Sequence, residues 1–422
     1  MKIKIAYGKT GLEFNLPDGL DVKVVEPKYI KKLPDEAAAV RQSLRKPIGT
    51  KPLRELVKSS DKIGIVFNDI TRPTPYHIVL PVLLDEISFV PDKQIILFNA
   101  VGTHRPNTDS ELRGMLGDKI VDRFRIVQND ANDRFSHVKV GRSKNGNDIW
   151  IHKEFVECDV RILTGFIEPH FFAGFSGGGK ACMPGLALLD TVLRNHSAVN
   201  INNPKASWGI TNGNPIWEEV CEAASMVPPL FILNVTLNRD KQITNVFSGD
   251  LEKAHAKGCE FVKENAMVAV PEPFDIVISS NSGYPLDMNL YQSVKGMSAA
   301  SQIVKKYGNI IIAADCCDGI PDHGEYGKLL SETKNTGSLL ETVLSPGFSR
   351  QDMWQALIHG LISKKADVYF YSRNLSDEQI ENAMLRPCRN IESTVDKLLQ
   401  QFGRKASICI LPEGPQTIPY IG

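Results

Sequence analysis

The sequence has no surplus of either charge: 49 lysines and arginines stand against 49 aspartates and glutamates. A balanced chain offers no positive field to attract a phosphate backbone or an anionic membrane, so nucleic acid is a poor partner. Long apolar runs are lacking as well, and no stretch approaches the about 18 to 20 residues needed to cross a bilayer, which argues against a membrane. The opening MKIKIAYGKTGLEFNL alternates apolar and polar residues like a strand. It lacks the apolar core and small-residue cleavage site of a signal peptide, so the expected compartment is the cytoplasm. Cysteine is sparse: eight in 422 residues, without regular spacing or a Cys-x-x-Cys pair, exclude a disulfide framework and a zinc ribbon. The adjacent Cys316 and Cys317 follow an apolar run and read as small buried residues. There is no internal repeat and no low-complexity segment.

What is present is the composition of a packed enzyme, 42% hydrophobic and 23% charged. The length exceeds the roughly 250 to 300 residues at which single cores stop growing, so two domains with a cleft between them are expected. Short β-branched runs recur, each followed by a glycine-bearing or polar loop and then a helical pattern, which is the rhythm of α/β sheets with mainly parallel strands. In the first part these runs are KIGIVFND (62–69), QIILFNAVG (94–102), VRILTGF (160–166) and FILNVTLN. In the second they are FDIVISS, NIIIAADCC, DVYFYS and ASICILPEG. A helical stretch from Asp250 to about Met267 precedes VAVPEPFD, whose prolines suit a boundary near residue 270. The predicted division is an N-terminal α/β domain over 1–270, a C-terminal α/β domain over 271–405, and a last strand and tail over 406–422 that crosses back to the N-terminal domain.

Ligands collect beyond the carboxyl ends of strands in such sheets, and three strand ends here are loaded with functional groups. The first carries Asp69-Ile70-Thr71-Arg72-Pro73, the second Gly102-Thr103-His104-Arg105-Pro106, the third Glu168-Pro169-His170. The guanidinium of Arg72 suits bidentate grip of a carboxylate or phosphate, although an exposed turn arginine gives the same pattern. His104 and His170 are natural proton relays near neutral pH; each alone also fits a structural loop histidine. Gly174, Gly179 and Lys180 in GFSGGGKACMPG fit the skeleton of a phosphate-cradling loop, but Ala181 stands where a nucleotide hydrolase needs a hydroxyl for magnesium. The glycines could instead leave room for a bulky ligand, with a following helix start drawing an anion. Lys180 would then be a desolvated, nucleophilic amine rather than a solvated loop lysine. His196, sixteen residues on, falls at or just past the end of a helix spanning about 184–194. Tyr291 and Lys295 share one helix face beyond the loop Gly283-Tyr284-Pro285-Leu286-Asp287, a spacing that a solvated face explains equally well. His77, His137, His152, His255, His323 and His359 read as surface or packing residues, and Trp354 as packing or an apolar wall.

Taken together these segments resemble the nickel-pincer lactate racemase family over nearly the whole chain. The shared pattern is the DxTRP-type loop (Asp69 to Pro73), the GTHR loop (Gly102 to Arg105), the EPH-type loop running into a glycine-rich lysine segment (Glu168 to Lys180), His196, and the YQxxK segment (Tyr291 to Lys295). The resemblance implies a racemase or epimerase of a small 2-hydroxy acid. It implies a cofactor made from nicotinic acid mononucleotide, whose ring carries two thio-acyl arms that pinch nickel through sulfur, carbon and sulfur. Lys180 would hold one arm as a thioamide and His196 would be the fourth nickel ligand, a soft set that suits the metal. Asp69, Thr71, Arg72, Gln292 and Lys295 would seat the cofactor. Arg72, Tyr291 and Lys295 would bind the substrate. His104 and His170 would exchange the hydroxyl proton for opposite enantiomers while hydride moves to and from the ring through a transient 2-keto acid. Separate biosynthetic proteins would supply the cofactor. The competing readings are a nucleotide hydrolase or kinase built on Gly174 to Lys180, and a carrier that holds the nickel nucleotide without turnover.

Overall fold

Each β-branched run of the first part becomes a strand of one sheet in the computed structural model, which describes residues 1–322, 324–403 and 405–422. The strands are β1 (Ile63–Asn68), β2 (Ile95–Ala100), β3 (Arg125–Gln128), β4 (Val160–Phe166), β5 (Leu230–Leu237) and β6 (Ile243–Gly249). They lie in the order β6-β5-β4-β1-β2-β3, and all neighbours are parallel except β5 and β6. β1 and β2 are almost wholly apolar without alternation because both faces of the sheet are covered, and all seven residues of β4 are buried, Arg161 and Thr164 included. Ile65, Phe67, Leu80, Leu97, Ile162 and Leu233 meet in the core at one face. The chain runs outward from β1 to β2 and β3, then returns to the other side of β1 for β4 and β5. The connections therefore diverge between β1 and β4, which opens a crevice at their carboxyl ends.

The second-part runs form a sheet of their own. β7 (Phe274–Ser280), β8 (Val304–Ala313), β9 (Asp367–Tyr371), β10 (Arg386–Pro387) and β11 (Ser407–Leu411) lie in the order β10-β9-β8-β7-β11, followed by Asp21–Val24 at the edge, and all pairs are parallel. The expected α/β class with mainly parallel sheets is what the chain adopts.

The division of the chain differs from the expected one. One compact unit is Tyr29–Glu264, and the other joins Met1–Lys28 to Asn265–Gly422. Residues 1–28 thus leave the N-terminal domain, and the tail does not cross back to it. Pairing is the reason: Asp21–Val24 adds to the edge of β11, and Ile418–Ile421 pairs with Met267–Val270. Short alternating segments carry no local mark of the sheet they join, since pairing is set by long-range packing.

Five helices matter for the site. They are α1 (Leu189–Asn195), α2 (Pro215–Ser225), α3 (Leu251–Ala266), α4 (Leu290–Ser301) and α5 (Met353–Lys365). The start of α2 follows from its sequence: the Asn214 side chain accepts from the backbone N–H of Ile216 and Trp217, and Pro215 takes the first turn, where no donor is needed. α1 begins later than the expected 184, because residues 182–187 form tight turns in which Gly185 N–H donates to Lys180 O and Leu186 N–H to Cys182 O.

Candidate active site

The loops after β1, β2 and β4 converge in the Tyr29–Glu264 unit. Tyr76 closes the end of β1, accepting from Asn68 N–H at 2.6 Å and donating to Asn68 Oδ1 at 2.8 Å. The chain then turns so that Arg72 N–H donates to Asp69 O at 3.1 Å. Asp69 is 4% exposed, and a buried carboxylate requires partners. Its Oδ1 accepts from Thr71 Oγ1 at 2.7 Å, and its Oδ2 lies 2.5 Å from His104 Nδ1. Burial pushes the Asp69 carboxyl up, but His104, Arg72 and the Thr71 hydroxyl together outweigh it and bring the group to about 2. Because the carboxylate accepts from Nδ1–H, a neutral His104 ring carries its lone pair on Nε2. Thr71 continues the chain of contacts: its Oγ1 accepts from Arg72 Nη1 at 3.0 Å. Arg72 Nε in turn lies 3.8 Å from Glu168 Oε1, with both side chains 13% exposed.

The His104 loop is tied to the lysine segment through its backbone. Gly102 adopts a left-handed φ of 58°, and its N–H donates to Gly185 O at 3.0 Å. Arg105 serves structure, forming a two-pronged pair with Glu111 at 2.7 and 2.9 Å.

After β4, Pro169–His170 pairs antiparallel with Gly174–Phe175 in a small hairpin. His170 is buried, and its Nδ1 accepts from Ala173 N–H at 3.2 Å. Its ring lies 4.8 Å from Phe171 and 4.5 Å from Phe172. Phe172 is the hub of this side of the site: the His196 ring is 4.9 Å away, and Lys180 Nζ lies 5.5 Å from the ring centre. Burial, with help from the Arg72 charge and against that of Glu168, lowers the Lys180 amine to about 7. Burial and the neighbouring Lys180 charge hold the buried His196 well below the usual imidazole range. The structure thus gathers Asp69, Thr71, Arg72, His104 and His170 from the loops after three strands, with Lys180 from the 3-10 turn and His196 from the end of α1. Sequence reasoning missed Phe172, because nothing in a Phe-Phe pair distinguishes a hub from core filling.

The glycine run works differently from its expected role. Gly174 and Gly178 adopt left-handed φ angles of 81° and 53°. A Cβ on Gly174 would stand 2.2 Å from Ile210 O, and one on Gly178 would stand 2.7 Å from the His255 ring. The bare faces of these two glycines are filled by protein rather than left open for a ligand. Lys180 lies in a 3-10 turn, Gly178–Ala181, so the expected helix start is absent at that point. A phosphate-cradling loop runs from a strand straight into an α-helix; here a hairpin precedes the glycines and no α-helix follows Lys180 before α1, which removes the basis for a nucleotide hydrolase.

The other unit carries the remaining predicted residues on α4. Gln292 and Lys295 are buried, with Lys295 Nζ donating to Gln292 Oε1 at 2.7 Å. Tyr291 OH accepts from Trp354 Nε1 at 3.0 Å, and Gln355 Nε2 donates to Tyr291 O. Trp354 is 3% exposed on α5, in keeping with packing. Among the other histidines, His77 is exposed while His137, His152, His255 and His359 are buried; His323 lies outside the described residues.

Models of the lactate racemase N-terminal and C-terminal domains match residues 7–209 and 269–418. The chain belongs to the lactate racemase family. It is 37% identical over 421 residues to a lactate racemase of Thermoanaerobacterium thermosaccharolyticum, covering 99% of this chain and 98% of the relative. A lactate racemase of Lactiplantibacillus plantarum is 39% identical over 388 residues, covering 92% and 91%. The solved lactate racemase apoprotein of T. thermosaccharolyticum superposes with a TM-score of 0.92 at 36% identity, covering 99% of this chain and all of that one. A Thermotoga maritima protein shares the fold at 19% identity, with a TM-score of 0.73. Membership of the lactate racemase family makes the chain an isomerase. The N-terminal model spans every residue gathered above, from Asp69 to His196. No helix among the described residues is long and apolar enough to cross a membrane.

Proposed function

We propose that this enzyme racemises a small 2-hydroxy acid, lactate first, with a nickel-bearing pyridinium nucleotide tethered to Lys180. The observation that carries the reading is the arrangement around Phe172, where one ring brings together the Lys180 amine, His170 and His196. The residues fit the group. An amine lowered to about 7 is substantially neutral at physiological pH and suits covalent attachment. His196 offers one imidazole, and among the described residues no group of three or more His, Cys, Asp or Glu could hold a metal. A nickel ion here would take its other ligands from an organic group, as the pincer's two sulfurs and one carbon would supply them.

When bound, the pyridinium ring supplies a hydride acceptor, which no side chain can provide. The need for one follows from the substrate: removing the α-proton would place a carbanion beside an ionised carboxylate. The side chains divide the remaining work. His104 takes the hydroxyl proton at Nε2, and the Asp69 carboxylate on the far side of the ring balances the imidazolium charge. His170, as the imidazolium, returns a proton to the product oxygen, and for the opposite enantiomer the two rings exchange roles. Arg72 grips the substrate carboxylate, held in place by Thr71 and Glu168. Asp69 and Thr71 serve the cofactor indirectly by fixing Arg72 and His104. On α4, Gln292 and Lys295 are assigned to the cofactor and Tyr291, with Lys295, to the substrate.

Intact-mass measurement of the denatured chain, made in a host that synthesises the cofactor, together with nickel analysis, tests the proposal. The expected result is an adduct on Lys180 and about one nickel per chain, with racemisation of a single lactate enantiomer. An unmodified Lys180 without nickel would remove the proposal, and a loaded chain that leaves every 2-hydroxy acid enantiomer unchanged would make it a carrier.

A further inference from the structure

His196 follows α1 and is 3% exposed. Its Nδ1 lies 2.8 Å from Asn195 Oδ1. The orientation of that amide is set from its other end, where Asn195 Nδ2 donates to Glu219 Oε2 at 2.8 Å and to Ile216 O at 3.3 Å. Both of those partners are acceptors, so the amide must turn its oxygen toward His196. The contact is then attractive only when Nδ1 carries a proton, which in the neutral ring puts the lone pair on Nε2.

Glu219, on α2, is 2% exposed, and its carboxyl is met by donors at both oxygens. Ser143 Oγ donates to Oε1 at 2.6 Å, and Asn147 Nδ2 donates to Oε2 at 3.1 Å. Asn147 also donates to Thr191 O on α1 at 3.0 Å. Three side-chain donors from two further segments therefore converge on one buried carboxyl, and Asn195 links it to His196. Simple packing of α2 against α1 would be served by apolar residues, since a buried charged group is costly unless its partners are in place.

We infer that Asn195 and Glu219 are positioning residues for His196: they lock its ring as the Nδ1–H tautomer and leave Nε2 as the nitrogen that coordinates a metal. The arrangement is chemically that of a carboxylate orienting a metal-binding imidazole, with an amide inserted between them. The inference rests on the assignment of His196 to nickel made above, but its first test does not. In the full-length chain made without cofactor and labelled with 15N-histidine, the His196 ring, identified by its absence in His196→Gln, should show a protonated Nδ1 and an unprotonated Nε2. The opposite tautomer would overturn the inference whatever the protein's function. In the loaded enzyme, Asn195→Leu should retain the Lys180 adduct yet lose nickel to a chelator about 10 to 100 times faster than the parent. Glu219→Gln should show the same change to a smaller extent. Nickel loss at the parental rate in both variants overturns the inference, unless His196→Ala also keeps its nickel. In that case it is the assignment of His196 to the metal that fails. Should Asn195→Leu not fold, the tautomer of the parent chain decides alone.

Discussion

The loops after β2 and β4, the two neighbours of β1 in the sheet, each deliver a histidine, and the two are held in opposite ways. His104 donates from Nδ1 to the carboxylate of Asp69, inside a polar chain that continues through Thr71 to Arg72 and Glu168. His170 accepts at Nδ1 from the backbone N–H of Ala173 and is flanked by Phe171 and Phe172. When both rings are neutral, His104 presents a lone pair at Nε2 and His170 a proton at Nε2. Under the proposed mechanism, the pair that must exchange roles between enantiomers therefore starts as one proton acceptor and one hydrogen-bond donor, and the donor releases a proton only from its imidazolium form. The lesson is that tautomers, set by the partner of one ring nitrogen, give two identical side chains opposite hydrogen-bonding character at the other.

The largest expected effects test whether both halves matter. His104→Ala and His170→Ala should each slow racemisation of a single lactate enantiomer by about 10² to 10⁴. Parental rates in both would break the comparison outright. The apolar half makes a second prediction, because Lys180 shares Phe172 with His170. With its amine lowered to about 7, Lys180 in the cofactor-free chain should be acylated with a midpoint near pH 7, and at that pH carry roughly 10³ times more neutral amine than an ordinary lysine near 10.4. Peptide mass mapping across a pH series reads this directly; a midpoint near 10 would show that the amine is solvated.

The polar half is sharpened by Asp69→Asn, which keeps the shape but removes the charge that orders His104. The expected loss is about 10² in kcat with little change in KM. The same variant has a signature in acid. The folded-state value of Asp69 is about 2, below the roughly 3.9 of an unfolded aspartate. Its contribution to stability is therefore present above about pH 4 and disappears as pH falls through about 2. The melting temperature of the parent should drop more steeply over that window than that of Asp69→Asn. Equal slopes would mean that the His104 contact does not stabilise the carboxylate. The smallest effect is expected of Phe172→Leu, which trims the hub without removing a polar group. It should cost about 1 to 3 kcal/mol of stability, read as a fall of several degrees in the melting temperature.

Sequence reading located the strands and the strand-end residues well, for a physical reason. Parallel strands covered on both faces are written as unbroken apolar runs, as in 63–67 and 95–98, and the residues that follow them inherit a common crevice from the topology. Asp69, His104, His170 and Lys180 were visible on that ground. Partner identity was not, because it depends on approaches across long sequence separations. Asp69 and His104 are 35 residues apart, and Glu219 reaches Asn195 from a different helix. The glycine run misled for a related reason: a positive φ and a close approach of protein atoms leave the same mark in a sequence as an open space for a ligand. Residues 1–28 were misplaced because edge pairing belongs to the strand that accepts it, β11, more than to the segment that joins.

That last pairing bears on how the molecule is made. The unit that holds Asp21–Val24 is completed late, since that segment finds its neighbour only when Ser407–Leu411 has been synthesised. The intervening Tyr29–Glu264 segment can condense on its own while the leading segment waits. Removal of Ser407–Leu411 would thereby release Asp21–Val24 as well as truncate the sheet, and proteolysis should open both segments together.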